Sequence, residues 1–347
     1  MKKNRPIALL FLVLILTSGA LSGCAGTPSA QESPAPTARA LELTNVSYDP
    51  TREFYAAYNQ LFSQKQLAET GRAVEVIQSH GGSGSQAISV SQGLEADVVT
   101  LALEGDVQAV ADAGLIEAGW KAEFAKDSAP YTSAIVFLVR AGNPKGIKDW
   151  NDLARDGVGV ITPNPKTSGG ARWNFLAAWA YCEKQFAGDE AQTLDFMRKL
   201  FENVLVLDSG ARGSTTSFVE NKQGDVLIAW ENEAYLTLKA YPGEYELVAP
   251  SISILCQPSV AVVDEVAKKH DTQALASAYL AGLYEDDAQR LAAQHFYRPS
   301  NEAILAEYAD VFDLKMEMTN IEHFGGWKAA QARFFSDGGV FDQIYEK

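Results

Sequence analysis

The stretch Asn164-Pro-Lys-Thr-Ser-Gly-Gly-Ala-Arg-Trp173 connects a predicted strand to a predicted helix. The β-branched run 158–162 before it is typical of a buried strand, and apolar residues recur at helical spacing over 171–186. Ser168 stands where a helix N-cap belongs, and the two glycines after it leave the first helical N–H groups unshielded by any Cβ. The stretch therefore predicts either a capped helix in a sharp turn or a cradle for an anion.

The same order of apolar strand, polar turn and amphipathic helix repeats along the chain. The predicted pairs are 41–46 with 51–65, 74–77 with a helix from about Gln86, 96–101 with 105–113, 158–162 with 171–186, 204–207 with 215–222, and 226–230 with 231–239. Strands that alternate with helices indicate an α/β fold with a mostly parallel sheet. Ligands in such folds bind beyond the carboxyl ends of the strands, which is where the polar turns lie.

Two β-rich runs, 133–139 and 246–255, do not end in glycine-rich turns. We interpret them as strands that cross between two lobes. The predicted first lobe is 42–134 plus 255–347, and the predicted second lobe is 135–254, with a ligand cleft between them.

The N-terminus has the pattern of a secretory signal. Basic residues precede the apolar run 7–15, which is too short to span a bilayer, and the run leads to Leu21-Ser-Gly-Cys24. This tetrapeptide resembles the bacterial lipobox, so we expect residues 1–23 to be removed and Cys24 to be lipidated. Residues 24–41, rich in Pro, Ser, Thr and Ala, would then form a flexible tether.

The chain is strongly acidic. Removing residues 1–23 takes away Lys2, Lys3 and Arg5, and the formal charge changes from −15 to −18. This charge argues against nucleic acid and anionic lipid as partners, and an anion would have to bind through local dipoles. Cys182 and Cys256 remain as either a disulfide or two buried thiols.

Three turns share one chemistry, in which small residues let backbone N–H groups point outward at a helix start. They contain Ser83, Ser168 and Ala211, and Trp230 at the end of another strand offers an indole donor. Arg172 and Arg212 lie in or beside these turns, and we expect both to form salt bridges with solvent-exposed or opposite-lobe carboxylates rather than to hold an anion directly.

A hydrolase is the alternative from another class. His80-Gly-Gly-Ser-Gly84 is similar to the oxyanion-hole loop of lipases, and Ser83 or Ser168 would be the nucleophile. However, Ser85 stands where a G-x-S-x-G elbow needs its last glycine. The sequence also lacks a phosphate-binding P-loop motif and metal-ligand spacing, so we expect no catalysis, cofactor or metal.

Six segments resemble the signature segments of bacterial sulfate- and thiosulfate-binding proteins, the extracytoplasmic receptors of ABC-type importers. They are Asn45–Glu53, Ser79–Gly84, Asn164–Trp173, Asp208–Ser214, Ala229–Ala234 and Phe324–Trp327. The resemblance runs from about Leu41 to the C-terminus. It implies a type II, venus-flytrap fold that closes on a tetrahedral dianion and a monomer that delivers sulfate or thiosulfate to membrane permease subunits.

The resemblance also implies a set of neutral ligands for the oxyanion. These are the N–H groups of Ser83, Gly169, Gly170 and Ala211, the hydroxyl of Ser168 and the indole N–H of Trp230. Asp49, Arg172 and Arg212 match positions that lie behind the ligands. Molybdate and phosphate remain alternative oxyanions, and the lipobox implies retention at the extracytoplasmic or periplasmic face of the membrane.

Overall fold

Two β-sheets, each with its own helices, form two lobes in the computed structural model, which describes residues 40–345. The strands are β1 (Leu41–Tyr48), β2 (Val74–Gly81), β3 (Val98–Leu101), β4 (Tyr131–Thr132), β5 (Ile135–Arg140), β6 (Val160–Pro163), β7 (Val204–Asp208), β8 (Val226–Trp230), β9 (Tyr245–Val248), β10 (Ile252–Ile254), β11 (Ser259–Val262), β12 (Arg298–Pro299) and β13 (Glu317–Thr319). The first-lobe sheet has the order β11-β3-β1-β2, and the second-lobe sheet has the order β7-β6-β8-β5-β9.

Helices follow most of these strands. They are α1 (Arg52–Thr70), α2 (Ser83–Ser91), α3 (Glu104–Asp112), α4 (Ala125–Ser128), α5 (Trp150–Leu153), α6 (Gly169–Gln185), α7 (Glu190–Glu202), α8 (Ala211–Val219), α9 (Glu231–Ala240), α10 (Asp264–His270), α11 (Gln273–Gly282), α12 (Asp286–Gln294), α13 (Glu302–Glu307), α14 (Gly326–Ala330) and α15 (Val340–Tyr345). Short 3-10 turns lie at Asp49–Thr51, Trp120–Ala122 and Ile321–Phe324, and a π turn lies at Gln331–Phe335.

The predicted α/β alternation is confirmed, with two differences in detail. β1 pairs in parallel with β2 and β3, and β6 pairs in parallel with β7 and β8, but β5 and β11 run antiparallel to their neighbours. Helix α2 begins at Ser83 and not near Gln86. The first turn of α2 contains Gly and Ser residues, which have weak helix propensity. Hydrogen bonds from the Ser83 hydroxyl to the β3–α3 segment hold this turn in place.

The C-terminal helices pack on the second lobe. Phe334 contacts Phe175 of α6 at 5.7 Å between ring centroids, and Phe341 contacts Phe201 of α7 at 5.5 Å. These rings share one buried core with the second-lobe strands. Phe334 and Phe341 therefore pack on second-lobe helices, although they lie in the range 255–347 that was predicted to belong to the first lobe. The lobe boundaries stay a prediction.

Cys182 and Cys256 are both buried free thiols, which settles the alternative that the sequence left open. Within residues 40–345, no helix is long and apolar enough to cross a bilayer. The predicted signal peptide and Cys24 lie outside the described residues, as does all of the tether except its last two positions.

A buried ion pair joins the lobes beside Trp230. Arg298 of β12 donates to both carboxylate oxygens of Glu231, at 2.6 and 2.9 Å, and both side chains are at most 3% exposed. Arg298 also donates to the Asp313 carbonyl at 3.2 Å. Because both charges are removed from water, each is tolerated only while the other is present.

We therefore predict that Arg298→Met lowers the free energy of unfolding by about 3–5 kcal/mol, because it leaves the Glu231 charge buried and unpaired. The double variant Arg298→Met/Glu231→Gln should recover part of this loss, since it removes the unpaired charge. Chemical denaturation of the three chains measures both effects. Equal losses in the single and double variants would contradict the prediction.

Candidate functional site

A small pocket lies between the lobes where strands of both sheets end. The residues that line it are Tyr48, Asp49, Pro50, Gly81, Gly82, Ser83, Ser168, Gly170 and Ala211. The first six follow or end β1 and β2, and the last three stand at the starts of α6 and α8. None of these described lining residues is Lys or Arg. The structure thus brings Asp49, Ser83, Ser168, Gly170 and Ala211 to one pocket, and Asp49 lines it although it was predicted to lie behind the ligands.

Three helices begin at this pocket. Their first residues are Ser83, Gly169 and Ala211, and their N-cap residues are Gly82, Ser168 and Gly210. An α-helix leaves its first N–H groups without intrahelical partners and carries partial positive charge at that end. Two helix starts from the second lobe and one from the first therefore supply positive potential here without a charged side chain.

The two serine hydroxyls have different surroundings. Ser83 Oγ donates to Asp106 Oδ2 at 2.5 Å and accepts from the Ala102 N–H at 3.0 Å, so its hydroxyl is fixed within its own lobe. Ser168 Oγ accepts from the Ala171 N–H at 3.3 Å, and the hydrogen of its hydroxyl is free to donate elsewhere. Ser83 therefore presents its backbone to the pocket, and Ser168 has a hydroxyl donor to offer.

Gly169 and Trp230 lie just behind the lining residues. Trp230 is buried at the end of β8, and its Nε1 makes a long bond of 3.3 Å to the Gly170 carbonyl. Its ring lies 5.4 Å from that of Tyr48, centroid to centroid. Gly169 is fully packed against the first lobe at Leu103 and Asp106. Of the predicted ligands, these two are the ones that the pocket lining does not include.

Arg172 crosses from the second lobe to the first. Its Nη1 lies 3.1 Å from Asp106 Oδ1, and its Nε donates to the Pro165 carbonyl at 2.9 Å. The two side chains are 12% and 6% exposed. Burial raises the pKa of the Asp106 carboxyl, while Arg172 and the Ser83 hydroxyl bond oppose that rise. The guanidinium is thus engaged by a carboxylate beside the pocket.

Arg212 makes a second contact between the lobes. Its Nη2 lies 2.8 Å from Glu53 Oε2 in α1 and 3.3 Å from Glu233 Oε1 in α9. Burial raises the pKa of Glu233 to about 6, and Arg212 opposes that rise. Asp106, Glu53 and Glu233 were not among the predicted site residues. All three share a signal that could have found them, since each lies in the first turn of a helix that follows a strand.

Two titratable groups stand at the edge of the pocket. Asp49 lines it, and burial raises the pKa of its carboxyl, with Arg52 and Arg212 acting in the opposite direction. His80 Nδ1 lies 3.4 Å from the Tyr48 carbonyl, and burial lowers the pKa of His80 to about 4. His80 is therefore neutral at physiological pH. Within residues 40–345 no group of three His, Cys, Asp or Glu side chains is placed to hold a metal.

The family model for bacterial extracellular solute-binding proteins matches residues 43–298. This chain belongs to that family. The receptor is 56% identical over 311 residues to the sulfate-binding protein of Salmonella typhimurium, covering 89% of this chain and 94% of the relative. It is also 48% identical over 306 residues to the thiosulfate-binding protein of Pseudomonas aeruginosa, with 87% and 92% of the two chains covered.

Solved structures agree with this assignment. The sulfate-binding protein SubI from Mycobacterium tuberculosis H37Rv superposes with a TM-score of 0.78 at 34% identity, over 85% of this receptor and 100% of that chain. The periplasmic binding protein P5PA superposes with a TM-score of 0.65 at 18% identity, over 84% and 96% of the two chains, and supports the fold alone. The receptor has the two-lobed α/β fold of periplasmic binding proteins.

The buried Glu233 carboxyl makes the stability of this receptor depend on pH. Its folded pKa of about 6 exceeds its ordinary value of 4.5, so the folded state favours the protonated form. The contribution of Glu233 to the free energy of unfolding is complete below pH 4.5. It is lost as pH rises through about 6, and the free energy of unfolding falls by about 2 kcal/mol. Glu233→Gln should therefore gain stability relative to the wild type as pH rises from 4.5 to 7.

Chemical denaturation at several pH values measures this difference. Thr215 donates to Glu233, so Thr215→Val is the matched control, because it removes that partner but keeps the carboxyl and its titration. A stability difference between Glu233→Gln and wild type that stays constant with pH would contradict the prediction.

Proposed function

We propose that this receptor binds sulfate, with thiosulfate as a second ligand, outside the cytoplasm and delivers it to an ABC-type importer. The observation that carries the proposal is the convergence of the α2, α6 and α8 starts on one pocket whose described lining residues include no cationic side chain. The names of the sulfate- and thiosulfate-binding relatives support the same ligand class.

The proposed ligand donors are all neutral. They are the N–H groups of Ser83, Gly169, Gly170 and Ala211, the Ser168 hydroxyl and the Trp230 indole N–H. Charge-assisted hydrogen bonds are worth roughly 1.5–3 kcal/mol each, so a full set can offset the desolvation of a dianion. The three helix starts add favourable potential for negative charge at the same place.

Selectivity follows from the donor type. Near neutral pH phosphate keeps a proton that needs a hydrogen-bond acceptor. In a site made only of donors, that proton would face another donor hydrogen and stay unbonded, whereas sulfate has no such proton. Asp49 is the one carboxylate among the described lining residues that could accept that proton. A bond from the phosphate proton to Asp49 would weaken this selectivity.

Arg172 and Arg212 would act on lobe closure instead of on the anion. Each second-lobe arginine pairs with a first-lobe carboxylate, Asp106 or Glu53, in the arrangement seen here. These pairs stabilise the arrangement in which donors from both lobes face one pocket. Separation of the lobes on a membrane permease would break the pairs and release the anion.

The hydrolase alternative lacks support at either serine. Ser83 Oγ donates a hydrogen bond to Asp106 and accepts one from the Ala102 N–H. His80 has Nδ1 within 3.4 Å of the Tyr48 carbonyl and, in the described part of the chain, makes no hydrogen bond to Ser83 Oγ. Ser168 Oγ serves as a helix N-cap. We propose that the receptor binds without catalysis, as a monomer held at the membrane by lipidated Cys24, an anchor for which the sequence pattern is the support.

A substitution at Trp230 tests whether its indole N–H is one of the proposed sulfate donors. We expect Trp230→Phe to fold and to bind sulfate more weakly by about 1–3 kcal/mol, because one oxygen loses its hydrogen-bond donor. Isothermal titration calorimetry measures the affinity. Trp179→Phe is the control, since Trp179 is an equally buried indole whose Nε1 bonds Glu183 away from the pocket. Unchanged affinity in Trp230→Phe would remove Trp230 from the site.

The ligand itself is tested by titrating the wild type with sulfate, thiosulfate, phosphate and molybdate near neutral pH. We expect sulfate to bind at least about tenfold more tightly than phosphate, since an unsatisfied buried proton costs roughly 1–3 kcal/mol. Phosphate that binds as tightly as sulfate would contradict the donor-only site. Molybdate that binds more tightly than sulfate would assign the receptor to a different oxyanion.

A further inference from the structure

Three glycines occupy the contact between the lobes. A Cβ at Gly82 would lie 2.8 Å from the Thr167 carbonyl oxygen and 3.0 Å from that of Ser209. A Cβ at Gly210 would lie 2.6 Å from Asp49 Oδ2, and a Cβ at Gly169 would lie 3.0 Å from both Asp106 Oδ2 and Leu103 Cγ. In each case the obstructing atoms belong to the opposite lobe.

Backbone conformation does not explain these glycines. Gly82 has φ −61° and ψ 131°, and Gly210 has φ −154° and ψ 169°, which are conformations open to any residue. Gly169 is the first residue of α6 and is not among the glycines with positive φ. The three nearest atoms to the Cβ position of Gly82 all belong to Thr167 and Ser209. An alanine there conflicts with the opposite lobe and not with its own.

The obstruction at Gly82 cannot move easily. Both obstructing atoms are backbone carbonyl oxygens, and Thr167 Oγ1 donates to the Ser209 carbonyl at 2.9 Å, which ties the two segments together. The N–H groups of Thr167 and Ser168 bond the Asn164 carbonyl as well. The obstruction at Gly210 is softer, because the Asp49 carboxylate is a side-chain end that can rotate away. Gly82 is therefore the stricter of the two positions.

We infer that Gly82 is a positioning residue for lobe closure: the anion-holding arrangement requires that no side chain separate the β2–α2 turn from the Thr167 and Ser209 carbonyls. A Cβ at this position acts as a spacer between the lobes. It keeps the Ser83 donor on the first lobe from reaching an anion held by Ser168 and Ala211 on the second. This inference rests on the proposed function, since it concerns closure on the proposed ligand.

The test compares wild type, Gly82→Ala and Gly84→Ala. Gly84 is the matched control two residues along, because its Cβ would lie 3.5 Å from the Arg172 guanidinium and the Thr167 carbonyl, which is ordinary contact. Calorimetry gives the sulfate dissociation constant, and small-angle scattering gives the contraction of the protein when sulfate is added. Thermal unfolding without sulfate shows whether each variant folds as stably as the wild type.

We expect Gly82→Ala to bind sulfate about tenfold to a hundredfold more weakly, the range that overpacking a close contact gives. The contraction that sulfate induces should be smaller than in the wild type. The melting temperature of the variant without sulfate should match that of the wild type. Gly84→Ala should keep both the affinity and the contraction. Gly210→Ala should weaken binding less than Gly82→Ala, since Asp49 can yield.

Two outcomes would overturn the inference while leaving the proposed function intact. One is a Gly82→Ala chain that binds sulfate and contracts like the wild type. The other is a Gly82→Ala chain that unfolds at a clearly lower temperature without sulfate, because the alanine would then conflict with its own lobe. A wild type that binds no sulfate would instead contradict the proposed function itself.

Discussion

The rest of this structure depends on the meeting of helix starts from two separate sheets at one small pocket. A sheet of this kind places its strand ends, and the helix starts that follow them, along a single edge. The edge of the first-lobe sheet supplies the Ser83 turn, and the edge of the second supplies the Ser168 and Ala211 turns. Only when these two edges face each other do the three positive helix ends act on the same point.

That geometry explains the residues around the pocket. Helix ends can approach one another closely only if the turns between strand and helix are small, and Gly82, Gly169 and Gly210 provide this at the lobe contact. The described pocket lining contains no cationic side chain, and Arg172 and Arg212 instead pair with carboxylates across the cleft. The buried pair of Arg298 and Glu231 adds a third link beside Trp230. In the proposed function, anion binding and lobe closure therefore depend on the same few turns.

Much of this could be predicted from the sequence, because local patterns determine it. Apolar runs of strand length followed by Gly, Ser or Pro turns gave the strand–helix pairs, and the pocket includes Asp49, Ser83, Ser168, Gly170 and Ala211. What could not be predicted depends on contacts between distant segments. Three features are set by tertiary structure: the pairing of Arg172 with Asp106, the antiparallel course of β5, and the packing of Phe334 and Phe341 on second-lobe helices. The start of α2 was misplaced because a tertiary bond from Ser83 to Asp106 outweighs weak helix propensity.

We propose that neutral dipoles hold the anion while Arg172 and Arg212 hold the lobes together. The most direct measurement is a crystal structure of the receptor with sulfate bound. We expect N–H and O–H donors from Ser83, Ser168 and Ala211 within about 3.2 Å of the sulfate oxygens. We also expect the Arg172 and Arg212 guanidinium nitrogens to lie more than about 4 Å from those oxygens, beyond the range of a salt bridge. A guanidinium in direct contact with the sulfate would contradict it.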